Sequence, residues 1–265
     1  MSTALNGSLI KALEILDLFS TERSVLSAKT VAESLNMSTA TAHRFLLTLE
    51  HVGYVVSPSR GQFTLGQRLE DLGRLAFEIS PLPSLARPVV ETISRDLNES
   101  AMACRLGRQG PLCVASANSQ RSIRVSVDVG ATLPAATTAQ GKLFLADMGR
   151  EERHARVKAE VEASGEDFTQ DLLRKIDGEA ERVADQGFAT NFGENEAEIA
   201  AVAVPVRGPD GSLVLTLSVF GITSAFDDAL LQRAKSALSK GAEAIQASMR
   251  DRGRDRLQRR QKPSG

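Results

Sequence analysis

Near its N-terminus the chain carries three apolar periodicities of helical spacing in quick succession, and a two-stranded pattern follows at once. Helices this short are marginal alone and must bury their apolar faces against one another, so the pattern dictates a small helical bundle with an attached hairpin. Ser8 precedes Leu9, Ala12, Leu13, Leu16 and Phe19, which share one face of a first helix. Ser27 is a good N-cap for a second helix with Ala28, Val31, Ala32 and Leu35 on its apolar side, and Asn36 can adopt the left-handed conformation that ends it. Ser38 caps a third helix. There Ala42, Phe45, Leu46 and Leu49 face inward, while Thr39, Thr41, His43, Arg44 and Thr48 lie on other faces. Gly53, Tyr54, Val55 and Val56, a turn-forming stretch from Ser57 to Gly61, then Gln62, Phe63, Thr64 and Leu65 make a β-hairpin. Three helices with a tight turn between the second and third, followed by a hairpin, fit a winged helix-turn-helix.

In that motif the first turns of the third helix enter the major groove. Ser38, Thr39 and Thr41 offer short hydroxyls there, and His43 and Arg44 offer longer donors. Arg44 can meet guanine or a phosphate; Arg60, at the hairpin tip, can meet a phosphate or the minor groove. The competing reading is a three-helix domain for protein contacts, since Glu14, Asp17, Glu33 and Glu50 make the segment slightly acidic. His43 and His51 stand eight apart, the wrong spacing for a helical metal pair.

A net charge of −1 neither favours nor excludes nucleic acid, so that case rests on local placement. The basic exception is the tail, expected as a solvated, disordered terminus over 251–265 that contacts phosphate at most nonspecifically. The longest apolar stretch, Leu213 to Ile222, is too short for a bilayer and reads as a buried strand, and no export signal opens the chain; a cytoplasmic protein without membrane contact is expected. Cys104 and Cys113 fall in neighbouring strands without a nearby histidine, so packed thiols are expected rather than a metal site.

Beyond residue 66, the apolar positions Leu69, Leu72, Leu75, Ala76 and Ile79 again have helical spacing, and Pro81 and Pro83 are expected to stop the run. This helix packs either on its own domain or on a second subunit. An amphipathic stretch over 84–98, strand-like runs over 101–106, 111–117, 122–128, 199–206 and 213–220, and helices over 140–163 and 171–186 predict an α+β domain, an antiparallel sheet with flanking helices. Its single histidine, His154, lies in a charged stretch read as solvated surface, and no nucleophile–base pair, metal cluster or nucleotide loop is visible. No catalytic residue and no cofactor are expected. A pocket is the better prospect. Thr137 and Thr138 precede a helix start, where hydroxyls and free N–H groups suit a carboxylate, although simple capping explains them equally. Ala200, Ala201 and Ala203 with Ser218 on the next strand leave either a small cavity or an ordinary close-packed core.

The runs Ser8 to Phe19 and Ser38 to Val55, with Phe63-Thr64-Leu65-Gly66, Ala139-Gln140-Gly141-Lys142, Gly187-Phe188-Ala189 and Ile199 to Val206, closely resemble the IclR family of regulators. The resemblance covers nearly the whole chain. It implies a winged helix-turn-helix (1–66), a linker helix (67–82), a GAF-like effector domain (83–250), homodimers that pair into homotetramers, and a palindromic double-stranded operator. It also implies effector contacts at Thr138, Ala139, Gln140, Ala201 and Ser218, with Glu194 at the family's acidic position. Ala201, Glu198 and Phe220 depart from the residues usual there, and Phe220 would favour an aromatic or hydrophobic acid by stacking. The resulting expectation is a transcriptional regulator governed by a small-molecule effector. Its rivals are a ligand-free DNA-binding or protein-contact module and an enzyme using the same pocket.

Overall fold

The computed structural model describes residues 5–20, 23–79, 81–165 and 167–261. It divides into two compact units, Met1–Ser80 and Pro81–Gly265.

In the first unit, α1 (Gly7–Leu16), α2 (Ala28–Ser34) and α3 (Thr39–His51) precede the hairpin of β1 (Val55–Ser59) and β2 (Gln62–Leu65). Ser27 and Ser38 cap as expected, each accepting at 3.1 Å from the amide of Thr30 or Thr41. Asn36 closes α2 with φ 48°. The cap of α1 is Asn6, whose carboxamide accepts from the Ser8 and Leu9 amides, because an Asx side chain reaches two orphan donors at once. The buried face of α1 also differs. Ile15 is fully buried, whereas Leu9 and Leu13 are exposed. Ile15, Leu26, Val31, Ala42, Leu46, Val55 and Phe63 form the core. A feature not foreseen is the bridge in which Leu26 and Phe63 exchange both backbone hydrogen bonds, at 2.9 and 2.8 Å, tying the hairpin to the segment before α2. The hairpin turn is tighter than expected, since Ser59 pairs with Gln62 and leaves only Arg60 and Gly61, the latter at φ 76°, in the turn. Helix α4 (Gln67–Ile79) leaves its apolar residues Leu72, Leu75 and Ile79 exposed.

The second unit opens with α5 (Pro81–Leu97). The run over α4 does end before Pro81, as expected; beyond that expectation, Pro81 and Pro83 also open the next helix, because a first-turn amide has no intrahelical acceptor to lose. The sheet runs β4 (Pro111–Ala117), β3 (Ser100–Leu106), β7 (Leu213–Ile222), β6 (Ile199–Arg207), β5 (Ala189–Phe192), antiparallel throughout. Strand β5 escapes the sequence reading, being a four-residue edge. Residues 122–128 are not a strand: Val125 and Val127 pack their side chains on the core, but the free edge of β4 is taken by the segment after them, with Cys113 donating to Ala131 and accepting from Gly130.

Side chains alternate across the sheet and give it two cores. On one face Ala101, Ala103, Ala200, Val202, Leu217 and Val219 pack against α5 and α9 (Asp228–Gln261). Leu230, Ala234, Leu238, Ala242 and Ile245 line α9, a helical spacing readable in the sequence yet absent from the expectations. On the other face Met102, Cys104, Cys113, Ala201, Ala203 and Phe220 meet α6 (Ala139–Asp147) and Val183 of α8 (Gln170–Gln186). The single helix expected over 140–163 breaks at Met148 and Gly149 into α6 and α7 (Arg150–Ser164). Over 251–261 the expected disordered tail is instead the end of α9, since its Arg, Leu and Gln residues favour a helix and no proline intervenes; residues 262–265 lie outside the described residues.

Candidate functional site

The outer surface of α3 presents Ser38, Thr39, His43 and Arg44 exposed, with Thr41 half-buried, and Arg60 is exposed on the hairpin turn. The Ser38 hydroxyl, which caps the helix, also shares a contact of 2.8 Å with the Thr41 hydroxyl. The His43 ring stands edge-on to Phe63 at 6.4 Å, which fixes its direction against the hairpin. Arg44 has no ion-pair partner among the described residues. One turn along the helix, Leu47 and Thr48 are exposed beside it, and the Thr48 hydroxyl donates to the Arg44 carbonyl at 2.8 Å.

In the second unit the register brings the expected residues together. Ala201 pairs with Phe220 and Ala203 with Ser218, all on the α6 face of the sheet. Ala200 does not belong with them: one residue along β6, it points to the α5–α9 face. Gln140 donates to the Ser218 hydroxyl at 2.6 Å. Thr138 caps α6, accepting from the Gly141 amide at 3.2 Å and donating to the Pro134 carbonyl at 2.5 Å. Gly141 is there because a Cβ would lie 2.2 Å from the Ala135 carbonyl oxygen. The free N–H groups expected before α6 are in part already used: the Glu160 carboxylate accepts from Ala135 at 2.7 Å and Ala136 at 3.2 Å.

Two charged clusters escape the sequence reading. Lys142, the residue after Gly141, buries its side chain to 6% exposure, donates to the Thr190 carbonyl at 2.8 Å, contacts the Glu194 carboxylate and lies 3.6 Å from Glu179. His154 is not free surface, since its Nε2 meets Asp177 at 2.9 Å, where Arg153 and Arg150 converge at 3.0 Å each. Partial burial raises the Asp177 carboxyl, but the hydrogen bonds from His154 and Arg153 and the charges of His154 and Arg150 outweigh it and leave it below its ordinary value. Partners 23 to 52 residues apart leave no local signal. Cys104 and Cys113 face each other across β3 and β4 as buried free thiols. The hydrogen bond to Cys113, then burial, pushes the Cys104 thiol well up.

Residues 8–58 match the IclR helix-turn-helix domain and residues 77–247 the bacterial transcriptional regulator IclR C-terminal domain. HTH-type transcriptional regulator XynR of Escherichia coli (strain K12) is 27% identical over 244 residues, 91% of this chain and 96% of that protein. An IclR transcriptional regulator from Silicibacter sp. TM1040 has a similar structure, with a TM-score of 0.78 and 25% identity over 92% of this chain and 96% of its own. The IclR homologue of Microbacterium hydrocarbonoxydans complexed with 4-hydroxybenzoate shares the fold, with a TM-score of 0.68 and 20% identity over 92% of this chain and 99% of its own.

Proposed function

The chain belongs to the IclR family of bacterial transcriptional regulators, and from that premise we propose that it grips operator DNA with α3 and the hairpin and adjusts that grip to a small organic acid bound in its second unit. The observation that carries the first half is Arg44, an exposed guanidinium with no ion-pair partner among the described residues, on a helix whose other side is the core of its unit. A fork of donors held on a rigid helix suits the O6 and N7 edge of guanine. Ser38, Thr39, Thr41 and Arg60 contact phosphates and set the register, and His43, braced by Phe63, works beside Arg44.

The exposed stripe of Leu72, Leu75 and Ile79 on α4 pairs with the same helix of a second copy, which buries it and makes a homodimer; pairs of dimers form tetramers. Two recognition helices related by a two-fold axis require a palindromic operator with half-sites about 34 Å apart or a multiple of it. DNA as partner places the protein in the cytoplasm. Among the described residues no helix is long and apolar enough to cross a membrane.

The effector occupies the face beneath α6, between Thr138, Ala139, Gln140 and the strand residues Ala201, Ser218 and Phe220, with Glu194 at the rim. Support comes from their convergence on one side of the sheet and from the aromatic acid held by the Microbacterium homologue. An effector shifts operator affinity only by its differential affinity for the two states, typically about 1–3 kcal/mol. The decisive experiment is a gel-shift titration against the chain's own upstream intergenic DNA at fixed salt, with and without aromatic and aliphatic carboxylates. A specific shift changed by one acid supports both halves. Specific binding that no compound alters favours a ligand-free DNA-binding module.

A further inference from the structure

Cys104 and Cys113 have no role in the reading so far. They face each other across β3 and β4 on the α6 side of the sheet, buried, free and sharing a hydrogen bond. We propose that this pair is a redox modification site, which a small peroxide closes into a cross-strand disulfide. The assignment stands on the two thiols alone; its bearing on the start of α6 rests on the effector reading above.

Strand register brings the thiols together. The pairing shifts by one residue between Ala103 and Cys104, so that Ala103 faces Ala115 but Cys104 faces Cys113. Val114 is the extra residue of a β-bulge, and both it and Ala115 turn to the α5–α9 core. Without that bulge Cys104 would stand opposite Val114. Cys113 also donates its amide to Ala131 and accepts from Gly130, at 2.9 Å each, on the side away from β3. The cysteines are therefore a non-hydrogen-bonded pair, whose Cα atoms stand about 4.5 Å apart, inside the roughly 4.4–6.8 Å that a disulfide spans. Closing the bond needs side-chain rotation and no rearrangement of the backbone.

The two thiols are not equivalent. Cys104 lies between β4 and β7, whereas Cys113 is on the outer strand, whose edge is covered by the irregular, mostly exposed residues 125–131. Segments without regular structure open locally at little free energy, which lets a small oxidant reach Cys113 first. The hydrogen bond from Cys104 also draws the Cys113 thiol below its ordinary value, against the effect of burial, and so favours the thiolate that reacts. That thiolate attacks one oxygen of hydrogen peroxide; the O–O bond breaks, the second oxygen leaves as water with the thiol's proton, and Cys113 becomes a sulfenic acid. The Cys104 sulfur then attacks that of Cys113. The S–S bond forms as the S–O bond breaks, and the hydroxyl departs as a second water with the Cys104 proton. Two thiols lose two electrons and two protons, and one peroxide is reduced to two waters.

The bond reaches beyond the pair. The segment held against Cys113 runs on through Leu133, which donates to the Pro111 carbonyl at 2.9 Å, to Pro134, whose carbonyl accepts from Thr138. A disulfide that pins β4 to β3 thus restrains the lead into α6, where effector contacts are placed.

The test treats the folded full-length protein with hydrogen peroxide and maps it with trypsin without reduction. Cleavage releases Cys104 in residues 96–105 and Cys113 in residues 109–121. The bond is therefore read as one linked pair of peptides within a single chain, two hydrogens lighter than their sum and separated by dithiothreitol. Cys104→Ala accumulates a dimedone-reactive sulfenic acid at Cys113, whereas Cys113→Ala leaves Cys104 unlabelled; label on Cys104 overturns the order of attack. Hydrogen exchange over residues 109–138 slows at least about 5-fold on oxidation, and the Cys104→Ala/Cys113→Ala double variant shows no change. No linked pair at any dose of peroxide, or a link formed only between chains, overturns the modification site. A linked pair with unchanged exchange overturns its reach to α6. The operator titration decides the effector reading separately in every case.

Discussion

On α3, Arg44 and His43 stand exposed above a packed core, whereas beneath α6 the residues Gln140, Ala201, Ser218 and Phe220 are buried and the Gln140 amide is already bonded to Ser218. The same holds for charge: Arg44 has no ion-pair partner among the described residues, while Lys142 is held by two carboxylates and a carbonyl. The difference follows from the two tasks. A surface that reads a rigid polymer needs donors left free at fixed positions, because any internal partner would have to be broken on binding. A sensor needs internal partners that a ligand can replace, since only an exchange with differential free energy shifts a population.

Breaking the packing beneath the reading surface has the largest expected effect. Leu46→Ala removes a fully buried side chain two positions from Arg44 and should cost about 2–5 kcal/mol in urea denaturation. Leu47→Ala, its exposed neighbour, should stay within about 0.5 kcal/mol. Equal losses would contradict the sidedness of α3. Ala201→Phe forces a large ring into the closed face beneath α6. It should cost about 1–3 kcal/mol by overpacking and abolish the effector response of the gel shift while operator binding persists; a normal response would remove Ala201 from the site. Arg44→Ala should leave the denaturation midpoint unchanged and weaken specific operator binding by about 1–3 kcal/mol, if it reads a base. Unaltered affinity would end that role.

The smallest expected effect concerns pH. The Asp177 carboxyl lies below its ordinary value in the folded state, so its contribution is complete above the unfolded carboxylate range and is lost as pH falls through the lower folded value. Asp177→Asn should therefore be less stable than wild type at neutral pH, by on the order of 1 kcal/mol, with the gap closing in acid. A gap independent of pH from neutral to strongly acidic conditions would show that packing, not charge, makes the difference.

Local signals carried most of the fold. Ser27, Ser38 and Thr138 cap where their hydroxyls precede apolar periodicities, and Asn36 turns left-handed after α2. The hairpins close at Gly107–Gly110 and Gly208–Ser212. Misreadings came where a local pattern had more than one use. Val125 and Val127 alternate like a strand but only pack side chains, and Pro81, which follows the end of α4 as expected, also begins α5, which a stop signal alone does not reveal. Leu9 and Leu13 have helical spacing but lie on a face that the other helices do not cover.

The sequence by itself determined what short-range geometry can encode: element types, their caps, the winged arrangement of the first unit and the small residues on β6. Tertiary structure alone decided which of those small residues face α6, and it put Ala201 and Ala203 there and Ala200 on the other side. It also decided that Lys142 would meet Glu179 and Glu194 and that Glu160 would take the amides before α6. Side-chain periodicity reports a face but not what covers it. Ion pairs between residues distant in sequence form only when strand register and helix packing bring the charges together, and no local spacing records that.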